Sequence, residues 1–476
     1  MPDEPVVPGV LIDENAVWPP PIEAQDTAVP VFIGYTTRAE SDTGESLLLA
    51  PTRIASLVDY EQVFGGPVIE PVSVALRTNR QRAAGVDVQA VDPHGGCPAH
   101  IVPWAVRHYF DNGGTACFIV SVGVGDPAEG PDAGALRAGI DAAEQEPSIT
   151  MLLVPDAATL PAWSAYRDVT SALLAHAARL RRVAVLDVWQ GDQSLNAMVD
   201  VAEPGAAAVP TRLIDASRSA WSEHLSHGAA YYPFVQTAYP RLSATPDASV
   251  SVTIDGVRTL TLDALKDTDP KAAAAARAAI DGVPLVLPPS AAVAGVYAHT
   301  DRTRGVWKAP ANVSLNNVVR PMVPMTDSQQ QGLTTDLSGK SVNAIRLFTG
   351  KGTLVWGART LAGNDNEWRY VSVRRVVDAI ECSVLASTQW VVFEPNDART
   401  WSALVSSVET YLSLCWRQGA LLGAKPEEAF WVRCGRGQTM TDADVAAGVI
   451  HLTMALALVR PTEFQLVGLS YRVLES

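Results

Sequence analysis

The sequence predicts an α/β central domain carrying a small inserted domain, followed by an α+β C-terminal domain, with extended arms at the two ends. Between residues 28 and 188 apolar runs alternate with stretches of helical spacing, the pattern of βαβ units around a mainly parallel sheet. From Arg241 to Asp281 that pattern breaks into an alternating hairpin and an alanine-rich helix. From Trp356 to Ser476 the chain holds six of its twelve tryptophans and closes on two alternating strands. The expected division is an arm at 1–26, a central domain at 27–240 and 282–355, an insertion at 241–281, and a C-terminal domain at 356–476.

Residues 1–26 are rich in proline, with a short strand pattern at Val10 to Asp13 bounded by Pro8-Gly9 and Pro19-Pro20-Pro21. A strand that isolated either returns to its own domain or adds to the sheet of another subunit. AVPVFIGYT (28–36) reads as a buried strand, and IASLVDYEQVF (54–64) as a helix stopped by Gly65-Gly66. Thr78 to His100 is polar and glycine-bearing and is expected as a surface loop. A helix follows at 101–110 and a strand at ACFIVSVGV, then helix 136–144, strand 150–154, helix 163–180 and strand 183–188. SVSVTIDGVRTLTL with Asp255-Gly256 is a hairpin signal, and KAAAAARAAIDG a helix by propensity.

In the last domain Val373, Val376, Val377, Ile380 and Val384 share one helical face. Trp390 to Phe393 is expected as a short buried strand. Asn396 or Asp397 can cap a helix whose stripe runs Trp401, Leu404, Val405, Val408, Tyr411, Leu412 and Cys415. Thr441 with Asp444 has the spacing of a capping box. Ile450 to Leu458 and Val467 to Val473 alternate as strands on either side of RPTEF.

Composition narrows the function. With 476 residues, 47% hydrophobic and 18% charged, the chain has the make-up of a globular protein of more than one domain. A formal charge of −15 argues against nucleic-acid binding, which needs a basic surface. The five cysteines are widely spaced with no CxxC pair, the pattern of buried free thiols in a reducing compartment. No signal-peptide pattern opens the sequence, and no run of eighteen apolar residues occurs.

Tests for chemistry point away from an enzyme. His94, His227 and Ser290 are the best hydrolase candidates, and PPSAAVAGVYA superficially resembles the serine-bearing helix of subtilisin-like proteases. Pro288 and Pro289 precede that serine, however, and proline has no N–H to offer an oxyanion. FTGKGTLVWG (348–357) lacks the glycine-to-lysine spacing of a phosphate loop and reads as a turn between strands. The eight histidines include no HxxxH or HExxH pair, so no metal and no cofactor are expected.

A series of motifs nevertheless resembles one family. PGVLIDE (8–14), PPPIEAQDTAVPVFIGYT (19–36), YEQVFGG (60–66), AVRHYFDNGG (105–114) and VLPPSAAVAGVYAHTDRTRGVWKAPAN (286–312) come first. VVRP near Pro321, VWGART, WRYVSVRR, TQWVVFEPND, WRQGALLGAKPEEAFWVRC, TMTDADVAAG and RPTEF follow in order. Together they resemble the contractile tail sheath family of myophages, R-type bacteriocins and extracellular contractile injection systems. The resemblance implies a subtilisin-like, non-catalytic central domain and a C-terminal domain at the inner radius. It also implies arms that interlock subunits by strand exchange, here through Val10, Leu11, Ile12 and Asp13 and through Val467, Leu469, Tyr471 and Val473. The implied partners are further copies of this chain in a helical stack of rings, an inner tube protein, and baseplate and terminal cap proteins. Neither direct nucleic-acid contact nor membrane insertion is implied. Such a subunit is made and assembled in the bacterial cytoplasm and becomes part of a virion tail or a released contractile particle. Residues 78–100 and 241–281 match no motif of that family, and an outward decoration is expected there. The alternatives are another structural particle protein (tube, baseplate or shell) and a subtilisin-like hydrolase.

Overall fold

In the computed structural model the described residues are 19–79, 81–82, 84–92, 97–98, 100–126, 129–203, 205–242, 245–459 and the backbone of 464–472. Packing divides the chain into two units, Asp26–Val376 and Met1–Gln25 with Val377–Ser476.

The larger unit is built on six parallel strands: β1 (Pro30–Thr36), β2 (Cys117–Val124), β3 (Met151–Leu153), β4 (Val183–Asp187), β5 (Gly228–Tyr232) and β6 (Val342–Phe348). Their spatial order is 2-1-3-4-5-6, a doubly wound α/β arrangement. Antiparallel strands close the edges, Thr52–Ile54 beside β2 and Gly352–Trp356 beside β6, with Val313–Ser314 outermost. Alternation along β1 feeds two cores. Val31 and Ile33 join Leu136, Ile140, Leu173 and Leu213 from helices on one face. Phe32 joins Val106 and Tyr109 of α1 (Val102–Asp111) and Val293 and Tyr297 of α2 (Ser290–Arg304) on the other. A sheet covered on both faces explains why β4 and β5 are buried at every position and read as continuous apolar runs.

The insertion does not stand alone. Its strand Val250–Ile254 pairs in parallel with Val72–Thr78, which pairs antiparallel with Val86–Asp92. Arg258–Thr261 completes this four-stranded sheet through the hairpin, where Asp255 (φ 53°) and Gly256 (φ 69°) both take the left-handed turn conformation. Val72, Val74, Leu76, Val250 and Val252 form its core with Leu265, Ala272, Ala276 and Ile280. The expectation of a loop over Thr78 to His100 is therefore corrected at Val86–Asp92, which is a strand. FTGKGTLVWG is a hairpin whose Gly350 and Gly352 have φ of 77° and 78°. The helix expected from Ile54 begins at Leu57 under a Ser56 cap, because Thr52–Ile54 is the edge strand.

The helix α3 (Val371–Ser387) carries Val373, Val376, Val377, Ile380 and Val384, all buried. In the smaller unit α4 (Ala398–Arg417) starts at Asp397, whose carboxylate accepts from the Arg399 and Thr400 N–H groups at 2.9 and 3.0 Å. Three strands follow: β7 (Phe430–Arg433), β8 (Val449–Ala457) and β9 (Phe464–Arg472). Gln389–Phe393 is a 3-10 turn with Phe393 90% exposed, not the expected buried strand. An apolar run that short does not distinguish the two by periodicity. Near the N-terminus, Glu23 and Gln25 N–H groups each donate at 3.0 Å to Ser387 and Ser383, and Ser407 donates to the Pro20 carbonyl at 3.0 Å. The expected boundary at 355/356 and the packing boundary at 376/377 differ by residues 356–376, which bridge to the central sheet and to each other.

Candidate assembly site

The three C-terminal strands form an antiparallel sheet in the order β7-β8-β9. β8 is central. Its Ile450, Leu452, Met454 and Leu456 are fully buried, as the alternation in the sequence requires. β9 pairs with it along its whole length, from Ala457↔Phe464 to Val449↔Arg472. That register sets Val467, Leu469 and Tyr471 opposite Met454, Leu452 and Ile450. Val10, Leu11, Ile12, Asp13 and Val473 lie outside the described residues. The Thr441 capping box forms as its spacing predicts, with Asp444 accepting from the Thr441 N–H and hydroxyl at 2.8 and 2.7 Å. Those bonds hold the Asp444 carboxyl below its usual range.

Among the described residues no strand pairs with the outer edge of β9 or of β7. A nine-residue strand such as β9 spans about 30 Å. Every second residue along that edge presents an N–H and a C=O outward, a template for one more strand. Proteins that remain monomeric blunt such edges with short strands, charges or prolines. β9 carries FQLVGLSYR, with no charged side chain before its last residue and no proline.

Among the described residues, those that suggested hydrolysis are not assembled into a triad. Ser290 opens α2 and is 1% exposed, and its N–H donates at 2.8 Å to Asp187 at the end of β4. Burial raises the Asp187 carboxyl to about 7, against the opposing pull of the Ser290 hydrogen bonds. Asp156, just past β3, accepts from Ile101 and Tyr35 N–H groups at 2.7 and 3.2 Å and is raised by burial to about 6. Each carboxylate thus meets the N-terminus of a helix, where the peptide dipoles favour negative charge. His227 stands at the other end of the strands. It precedes Gly228, which pairs with Ala184, whereas Asp187 pairs with Tyr231. At ~3.3 Å per residue this puts it about 13 Å from Asp187 along the strand direction. His94 lies outside the described residues. No group of three or more His, Cys, Asp or Glu arranged to hold a metal occurs among the described residues.

Comparison with known proteins gives these features a context. The phage tail sheath C-terminal domain family matches residues 363–464. The tail sheath protein of Burkholderia phage BcepMu is 31% identical over 143 residues, 29% of this chain and 30% of that protein. The chain thus spans less than a third of the length of that curated relative in the matched region. Solved structures match over nearly the full length. One chain of the anti-feeding prophage helical sheath in its contracted state is 30% identical, with a TM-score of 0.62, covering 98% of this chain and 99% of that one. A chain of the anti-feeding prophage baseplate is 31% identical, with a TM-score of 0.61 and 98% of both chains covered.

Proposed function

Because this chain belongs to the contractile tail sheath family, we propose that it polymerises around an inner tube and contracts to drive that tube through a target envelope. The observation that carries this is the likeness to the contracted anti-feeding prophage sheath over 98% of the chain. Identical subunits stack in an extended, metastable helix. A trigger at the baseplate lets each subunit turn and move outward, and the sheath shortens. Likeness to a chain of a baseplate structure supports contact with that end of the particle.

Strand exchange supplies the connections. The open edge of β9, with Val467, Leu469, Tyr471 and Val473, accepts the arm Val10 to Asp13 of a neighbouring subunit. Each backbone hydrogen bond contributes about 0.5–1.5 kcal/mol net, so one joint is modest and the lattice supplies the total. The larger unit acts without catalysis. Its fold is subtilisin-like, and the serine at the first residue of its helix beside Asp187 is buried. The C-terminal unit faces the tube, and residues 72–92 with 241–281 form a decoration. The assembled particle is a virion tail or a contractile body released from the cell.

Negative-stain electron microscopy of the purified, concentrated protein tests the reading. Wide hollow cylinders of two lengths are expected. Narrow tubes or closed shells would replace it with another structural role, and peptidase activity abolished by Ser290→Ala would replace it with a hydrolase.

A further inference from the structure

Two chain segments connect the larger unit to the smaller, at 25/26 and at 376/377. Inside the larger unit both are held by one buried cluster centred on Asp301, in the last turn of α2. The Asp301 carboxylate accepts from Arg375 Nη1 at 3.0 Å and Nη2 at 2.5 Å, and from the Thr27 hydroxyl at 2.6 Å. Arg375 Nη2 also donates to the Thr27 carbonyl at 2.8 Å, and that carbonyl receives the Thr150 hydroxyl at 2.9 Å. The Arg375 and Asp301 side chains are only 4% and 7% exposed. The guanidinium lies 4.9 Å from the centre of the Tyr297 ring, and Tyr297 shares a 2.6 Å hydroxyl hydrogen bond with Tyr231 of β5. The cluster is therefore seated on the central sheet.

A buried ion pair is a weak source of stability, because desolvation offsets most of the attraction. What a bidentate guanidinium–carboxylate pair supplies is fixed geometry. Here it ties residue 27, one past the start of the larger unit, to residue 375, one before its end and within α3, which continues to Ser387. We propose that the Thr27–Asp301–Arg375 cluster is the fixed point from which both connections depart, and that it stays closed while the sheath contracts. Two connections anchored at one place can twist together, but neither can be drawn out of the unit. Movement of the units then leaves the fold of the larger one intact. The second half of this inference rests on the sheath reading; the first does not.

Hydrogen–deuterium exchange tests both halves. In wild-type particles, peptides covering 26–32 and 369–376 should exchange equally in extended and contracted sheaths. Exchange about tenfold faster in either peptide after contraction would show that the cluster opens, and would overturn the proposal while leaving the sheath reading in place. In isolated subunits the double variant Arg375→Met with Asp301→Leu replaces the pair by apolar side chains of similar size, so the fold should be kept. Both peptides should then exchange about tenfold faster, with β4 and β5 unchanged. Acceleration of one peptide alone, or of neither, would show that the cluster does not tie the two segments. This subunit comparison holds even where no cylinder forms, an outcome that would remove the sheath reading by itself.

Discussion

At the residue scale the buried acids set a pH dependence. Asp187 has a folded-state pKa of about 7, raised from 3.8 by burial. The folded state therefore binds more protons than the unfolded one between those values, and the contribution to stability declines as pH rises through that window. Asp187→Asn keeps an oxygen for the Ser290 N–H and removes the charge. The variant should match wild type near pH 4 and exceed it by up to about 4 kcal/mol at pH 8, since each tenfold change in proton affinity is worth ~1.4 kcal/mol. Urea melts across that range would expose the opposite slope or no slope, and either result contradicts the assignment. Packing gives a second prediction. α1 and α2 approach so closely that a methyl group at Gly295 would lie 2.5 Å from the Tyr109 carbonyl oxygen. Gly295→Ala should cost about 1–3 kcal/mol despite its better helix propensity, and a melting temperature equal to wild type would refute that. The sequence shows that Pro288 and Pro289, which lack N–H groups, precede Ser290, but not the Asp187 partner. That partner lies 103 residues earlier and is brought close only by the sheet.

At the scale of elements, legibility followed the range of the interactions. The capping box at Thr441, the hairpin at Asp255-Gly256 and the α4 stripe depend on residues within a turn or two, and they are plain in the sequence. Val72, Val74 and Leu76 alternate too, yet their partner strand at Val250–Ile254 is far along the chain, and Val86–Asp92 is polar on its open side. Only the assembled sheet gives that segment a reason to be a strand. The β8 pattern was legible because one face is buried, and burial fixes register. Two predictions belong here. Thr441→Ala removes one side of the capping box and should lower stability by about 1 kcal/mol, read as a fall in melting temperature without loss of fold. Deleting residues 1–14 removes the proposed exchanged strand but none of the residues that hold Glu23 and Gln25 in place. Subunits with a native circular dichroism spectrum that form no long sheaths are expected. Abundant normal cylinders from the truncated protein would show that the arm is dispensable.

At the scale of the whole molecule, the question is where the work of contraction comes from. The one glycine–lysine stretch that invited a phosphate-loop reading is a tight hairpin turn, and Lys351 follows Gly350 within it. We propose that the free energy is stored in the assembly, as a difference in packing between two lattice arrangements of the same subunit. About 1.4 kcal/mol per subunit favours one arrangement tenfold, and subunits that change together multiply that factor at every copy. Even a small preference per chain thus makes the forward change complete and the reverse unobservable. Purified extended particles treated with apyrase and EDTA, then exposed to mild denaturant, should contract to the same final length and at the same rate as untreated ones. A dependence on added nucleotide or divalent cation would place the energy outside the lattice. Contraction that reverses on removing the denaturant would mean that the difference per subunit is too small to hold the contracted state.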